Sequence, residues 1–253
     1  MHTSSLLSVV ALAATALGGP VEKRAQTVYL AGDSTMAKAN GVTTGWGVFF
    51  PYSVSLSVVN KAIGGRFDEI VNLVKPNDIV IMEFGHNDGG SLASSDNGRS
   101  VCPGTGSETC QSTYNGQTVT VHTYPYYLTE AGKKLIAKGA KVIVSSQTPN
   151  NPWETGSFVY TDGGRFVGYA RDVAKALGSN AMYVDHGAYT ADIFKSMGKA
   201  KVDAIFPQDH THTSPAGADI VAKAFVKGLQ CGGGGFLGGF VKNATASIPG
   251  KCL

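Results

Sequence analysis

Five short apolar runs recur along the chain, and each ends in a polar or glycine-rich stretch. Val28–Ala31 runs into Gly32-Asp33-Ser34, Ser57–Asn60 into Lys61-Ala-Ile-Gly-Gly-Arg66, and Asp78–Phe84 into Gly85-His-Asn-Asp-Gly-Gly90. Lys141–Ser145 leads to Gln147-Thr-Pro-Asn-Asn-Pro-Trp-Glu154, and Ala181–Asp185 is the last of the five. Short, uninterrupted and rich in β-branched residues, such runs predict strands buried on both faces, as in a parallel sheet. Between them, apolar residues fall at helical spacing over Phe67–Val74, stopped by Pro76, over Tyr124–Lys138, closed by Gly139, and over Arg165–Leu177, closed by Gly178. Further helices are predicted near Tyr189–Met197 and from Pro215 to about Leu229, the latter capped by Ser214. Pro at the first helical position after a serine cap suits a helix start. Gly45–Tyr52 reads either as a helix start with inward aromatics or as a buried aromatic loop. Ser91 to about Thr123 is predicted as one long polar excursion; loops of that length in a compact domain are usually functional.

Strands alternating with helices predict an α/β domain, a parallel sheet covered by helices on both faces. In such sheets ligands bind at the carboxyl ends of the strands. The first strand delivers Ser34 there, which makes it the candidate nucleophile.

The rest of the sequence narrows the setting. Ser5–Ala16 is an apolar run too short to span a bilayer, and Val21-Glu-Lys-Arg24 resembles a dibasic processing site of the fungal type. Residues 1–24 are therefore expected to be a signal peptide and short propeptide, with residues 25–253 forming one secreted domain that works as a monomer. Removing them leaves 19 basic and 17 acidic residues. That balance, with no basic cluster, argues against nucleic acid as a partner, and no other apolar run reaches membrane length. Four cysteines in a secreted chain suggest two disulfides. Of three possible connectivities, Cys102 with Cys110 and Cys231 with Cys252 leaves no crossing loops. Asn243-Ala-Thr245 is a glycosylation sequon in the Gly-rich tail.

A serine nucleophile needs a base within reach, and that base needs a carboxylate to hold its tautomer. Asp209-His-Thr-His212, just ahead of the last helix, offers His212 as base and Asp209 as its partner, leaving His210 as structural. Asn87, at the tip of the third strand, could donate to an oxyanion, together with the backbone N–H groups of Ser34 and of Gly64 or Gly65.

Four blocks in this order, Gly32-Asp33-Ser34, Gly65, Gly85-x-Asn87-Asp88 and Asp209-x-x-His212, resemble the SGNH (GDSL-type) hydrolase family. Longer stretches extend the resemblance over nearly the whole mature chain: Val28–Ala37, Glu83–Leu92, Ser145–Glu154 and Phe206–Gly217 are similar to the family's fungal branch that deacetylates the rhamnogalacturonan backbone of pectin. The resemblance implies a three-layer, flavodoxin-like sandwich around a five-stranded parallel sheet, no metal or organic cofactor, and an acetylated plant cell-wall polysaccharide as partner. It implies Ser34 as nucleophile, His212 as acid and base, Asp209 as its orienter, and Ser34 N, Gly65 N and Asn87 as oxyanion donors. In relatives a polar segment of about ten residues follows the Gly65-Arg66 block; here Arg66 runs straight into Phe67. Two other readings stand beside the leading one: an acetylesterase of xylan or small acetates, and an inactive carbohydrate-binding relative whose shortened block has lost the oxyanion geometry.

Overall fold

The computed structural model describes residues 24–39, 41–62, 67–92, 98–242 and 247–253. The signal segment up to residue 23, Gly65 with its neighbours, and the Asn243 sequon lie outside the described residues. In chain order the elements are β1 (Thr27–Gly32), β2 (Ser57–Asn60), α1 (Phe67–Leu73), β3 (Ile79–Glu83), β4 (Thr109–Tyr114), β5 (Gln117–His122) and α2 (Tyr124–Ala137). They continue with β6 (Lys141–Ser145), α3 (Arg165–Ala176), β7 (Ala181–Val184), α4 (His186–Met197), α5 (Lys199–Asp203) and α6 (Pro215–Cys231).

Five strands form one parallel sheet in the order β2-β1-β3-β6-β7. Successive side chains of a strand point to opposite faces, and both faces here are buried. Val28, Leu30, Ile79, Ile81 and Ile143 meet Phe194 of α4 and Val221, Phe225 and Leu229 of α6 on one side. Tyr29, Ala31, Val80, Met82, Val142 and Val144 meet Ile70 of α1, Leu128 and Leu135 of α2, and Phe166, Ala170 and Val173 of α3 on the other. The result is the expected three-layer α/β fold.

Ser214 caps α6 as expected, its Oγ accepting from Gly217 N, and Thr123 and Asp185 do the same for Tyr126 N of α2 and Ala188 N of α4. Cys102 pairs with Cys110 and Cys231 with Cys252. Among the described residues no helix is long and apolar enough to cross a membrane.

Of the two readings of Gly45–Tyr52, the structure takes the aromatic loop, built of two 3-10 turns, Trp46–Val48 and Phe50–Ser53. A Cβ on Gly45 would lie 2.3 Å from the Met36 carbonyl carbon, so this loop is built to press against the chain that follows Ser34. The polar excursion contains an antiparallel hairpin, β4 with β5, closed by Asn115 and Gly116 at φ 50° and 76°. Positive φ at both central residues is the turn geometry that Asn-Gly favours in two-residue hairpins. The short α5 was not expected, and α4 begins three residues earlier than its periodicity suggests.

Candidate active site

The site grows from the carboxyl end of β1. Gly32 has no room for a Cβ, which would lie 2.8 Å from Glu83 O on the neighbouring strand. Beyond it the chain turns at once, with Met36 N and Ala37 N both donating to Asp33 O at 3.2 and 3.1 Å. Ser34 is left exposed at the tip of this turn. Asp33 is buried beneath it: one carboxylate oxygen accepts from Thr35 N and Oγ1 at 2.9 and 2.7 Å, and the other from His86 N at 3.4 Å. Asp33 thus joins the serine turn to the loop after β3.

The loop before α6 arrives from the far end of the chain and is pinned on both sides. Thr44 N donates to Thr213 O at 2.9 Å, and Asn151 N to His210 O at 2.7 Å. Asp209 Oδ1 accepts from Thr211 N and His212 N, both at 2.7 Å, which fixes the carboxylate. Its Oδ2 faces His212 Nδ1 at 2.8 Å, and His212 Nε2 faces Ser34 Oγ at 2.8 Å. Burial pushes the Asp209 carboxyl up, but the hydrogen bonds from the His212 N–H, the His212 ring and the Thr211 N–H outweigh it and bring it down to about 2. An ionised Asp209 can only accept, so His212 Nδ1 carries a proton. Nε2 of the neutral ring is then free to accept from Ser34.

Asn87 lines the same cleft, of about 910 Å³, with Ser34, Gln208 and His212. Its Oδ1 accepts from Arg99 Nη1 at 2.8 Å, leaving the amide NH₂ as its donor end. Nothing in the sequence marks Arg99 for this part; it sits in the polar excursion, and only the fold brings it to Asn87. Gly65, the other expected oxyanion donor, is outside the described residues.

A family model of the GDSL-like Lipase/Acylhydrolase matches residues 28–225. The chain belongs to this family. This GDSL-type hydrolase is 52% identical over 219 residues to a rhamnogalacturonan acetylesterase of Emericella nidulans, covering 83% of this chain and 86% of the relative. It is 25% identical over 225 residues to a Bacillus subtilis protein named a probable rhamnogalacturonan acetylesterase, covering 81% of this chain and 93% of the relative. A second Bacillus subtilis protein, known from its crystal structure, shares the fold at a TM-score of 0.65 and 20% identity. The match covers 83% of this chain and 57% of that longer one.

The hydrolase places its remaining histidines in other roles. His210 Nδ1 pairs with Glu154 at 2.9 Å on the surface, His86 Nε2 lies 3.2 Å from Thr148 Oγ1, and His122 stacks on Tyr126. His186 is fully buried. Its Nε2 faces the Val221 carbonyl at 2.8 Å and its Nδ1 faces Glu83 Oε2 at 2.6 Å. The same Glu83 carboxyl accepts from the Trp46 indole N–H at 2.7 Å and the Ser145 hydroxyl at 2.6 Å. Glu83 is the register partner of Gly32, so this buried cluster lies directly beneath the serine turn. Sequence reading did not find it.

Asp88, beside Asp33, is pushed up to about 7, first by burial and then by the Asp33 charge, with a hydrogen bond at Gly85 opposing. An acid held above its ordinary 3.8 keeps its proton when folded over a range where the unfolded chain has lost it. Stability is therefore expected to fall as pH rises from about 4 to about 7, and to level off above that. Asp88→Asn should flatten this part of the curve. Thermal unfolding at a series of pH values tests it, and an unchanged slope in the variant would exclude Asp88 as the source.

Proposed function

We propose that this hydrolase is a secreted rhamnogalacturonan acetylesterase that works as a monomer through Ser34, His212 and Asp209. One observation carries the substrate assignment: the 52% identity to the Emericella nidulans enzyme over 83% of the chain. The hydrogen-bonded series from Ser34 Oγ through His212 to Asp209 supports the mechanism. The apolar leader, Lys23-Arg24 and two disulfides support secretion.

In this mechanism Ser34 Oγ attacks the acetyl carbonyl carbon while its proton passes to His212 Nε2. Asp209 stabilises the imidazolium that forms. The tetrahedral oxyanion lies against the Ser34 N–H, the Asn87 amide and, by family resemblance, the Gly65 N–H. The carbon–oxygen bond to the sugar breaks, and His212 returns the proton to the leaving sugar oxygen. Water then attacks the acetyl-serine, again giving its proton to His212. Acetate leaves and Ser34 regains its hydrogen. Protein side chains, backbone N–H groups and water carry every step.

Acetate release from acetylated rhamnogalacturonan and from acetylated xylan tests the assignment. The pectic polymer is expected to be the better substrate by at least about tenfold in kcat/KM, a margin that a few groove contacts can supply. Preference for xylan, or no acetate from either polymer, overturns it.

A further inference from the structure

Beside the catalytic cleft lies a second cavity of about 370 Å³ that the removal of an acetyl group does not use. The two are neighbours: Phe84, Asp88, Gly98 and Arg99 line both. None of the residues on the His212 side of the cleft, neither Thr43–Thr44 nor Gln208, reaches the second cavity.

That placement has a chemical meaning. In acyl transfer the leaving oxygen must sit where His212 can protonate it, so the alcohol half of an ester occupies the His212 side. The acyl substituent, on the same tetrahedral carbon, points away from it. The second cavity opens on that acyl side, next to Asn87. Acetyl has only a methyl group to offer there.

The walls state what would fit. The hairpin contributes Tyr114 and Val119, α2 contributes Tyr124 and Tyr127, and Phe67 and Phe84 face each other with ring centroids 5.2 Å apart. Aromatic walls of this kind favour a flat ring in stacked or edge contact, and a volume above 300 Å³ is in the range of ligand sites. Two of these three tyrosine hydroxyls are already engaged. Tyr124 donates to Phe84 O at 3.1 Å, and Tyr127 Oη accepts from His122 N at 2.9 Å. Ser100 differs: it is only 5% exposed, lines the cavity, and its hydroxyl finds no hydrogen-bond partner among the described residues. A buried hydroxyl without a partner is costly unless a ligand or water supplies one.

The geometry points to an acyl pocket for esters whose acyl group carries a hydroxylated aromatic ring, so that this hydrolase also cleaves hydroxyarylpropanoyl and hydroxyarylpropenoyl esters. The inference rests on the Ser34–His212 esterase reading. Ser34 Oγ bonds to the acyl carbon as the ester oxygen leaves with the proton from His212. Water then releases the aromatic acid. The ring sits among Phe67, Phe84 and Tyr124, and its hydroxyl pairs with Ser100.

The test compares 4-nitrophenyl acetate with 4-nitrophenyl 3-(4-hydroxyphenyl)propanoate, which share one leaving group. The aromatic ester is expected to be cleaved with a kcat/KM within about tenfold of the acetate or better. Val119→Trp, which fills the cavity from a strand that tolerates aromatics, should lower the aromatic rate by at least about tenfold while leaving acetate within about twofold. Ser100→Ala supplies an independent readout, since it should erase the preference for a 4-hydroxyphenyl over a phenyl ring. Acetate cleavage with an aromatic rate below about a hundredth of it would overturn the pocket while leaving the esterase reading intact. So would equal losses on both esters in a folded Val119→Trp protein, or an unchanged ring preference in Ser100→Ala. Failure on both esters would remove the esterase reading and this inference together.

Discussion

Ser34→Ala and His212→Ala are each expected to lower kcat by about 10⁶-fold, and the double variant to be no worse than either alone. The reason is the geometry of the proton path. Ser34 Oγ, His212 Nε2, His212 Nδ1 and Asp209 Oδ2 are joined by two contacts of 2.8 Å, and loss of any one link disables the rest. Asp209→Asn is expected to cost about 10⁴-fold, because an amide at Oδ2 can present hydrogens to Nδ1 and turn the ring to the wrong tautomer. Its backbone hydrogen bonds to Thr211 and His212 would survive through the remaining carbonyl oxygen, so the loop should stay folded. Steady-state rates on 4-nitrophenyl acetate, with folding checked by circular dichroism, decide the matter. Losses that multiply in the double variant would show that the two residues act separately.

Glu83→Ala should be the most damaging of the stability variants, by about 3–5 kcal/mol, because it leaves a buried polar group facing an empty space. The proton inventory explains why. The Val221 carbonyl can only accept, so His186 Nε2 must carry a hydrogen, and a single proton is shared between His186 Nδ1 and Glu83 Oε2. Removing the carboxylate strands His186 Nδ1 and the Trp46 N–H together and leaves the Ser145 hydroxyl with only Ser146 O as acceptor. Glu83→Gln can satisfy all three. Its carbonyl accepts from Trp46, its NH₂ donates to a neutral Nδ1 and to Ser145 Oγ, and Ser145 turns its own hydrogen to Ser146 O. The alanine variant is expected to melt about 10 °C below the parent and the glutamine variant only a few degrees below it. Equal losses in both would mean that the carboxylate's charge, which the amide lacks, rather than its volume and hydrogen-bond count, holds this region.

The legible parts of the molecule and the hidden ones differ for physical reasons. The strands of the parallel sheet could be read because burial on both faces demands unbroken apolar runs; Asp78–Phe84 contains the observed Ile79–Glu83. The β4–β5 hairpin stayed hidden because it is mostly exposed: β4 follows no apolar alternation, and β5 offers only the short Val119 and Val121 pair. That pair and the turn signal Asn115-Gly116 lay within a stretch read as irregular. Asp209 and His212 could be paired because they are three apart in a loop, where local geometry decides the contact. The Asn87–Arg99 and Glu83–His186 contacts join segments 12 and 103 residues apart. No spacing rule reaches across such distances, and only the packed sheet defines them.

The distance between Ser34 and His212 along the chain, 178 residues, also sets when the enzyme can first act. A nascent chain exposes β1, β2 and β3 early, and β1, which lies between the other two, can begin to pair with both before synthesis ends. The His212 loop arrives only with α6, whose Phe225 stacks on Trp46 at 5.1 Å between ring centroids. On the proposed mechanism Ser34 therefore has no base until α6 docks, and the chain is chemically silent through most of its own synthesis. Recovery of esterase activity after dilution from denaturant follows the closing of this long chain loop and reports the final docking step, not the collapse of the sheet.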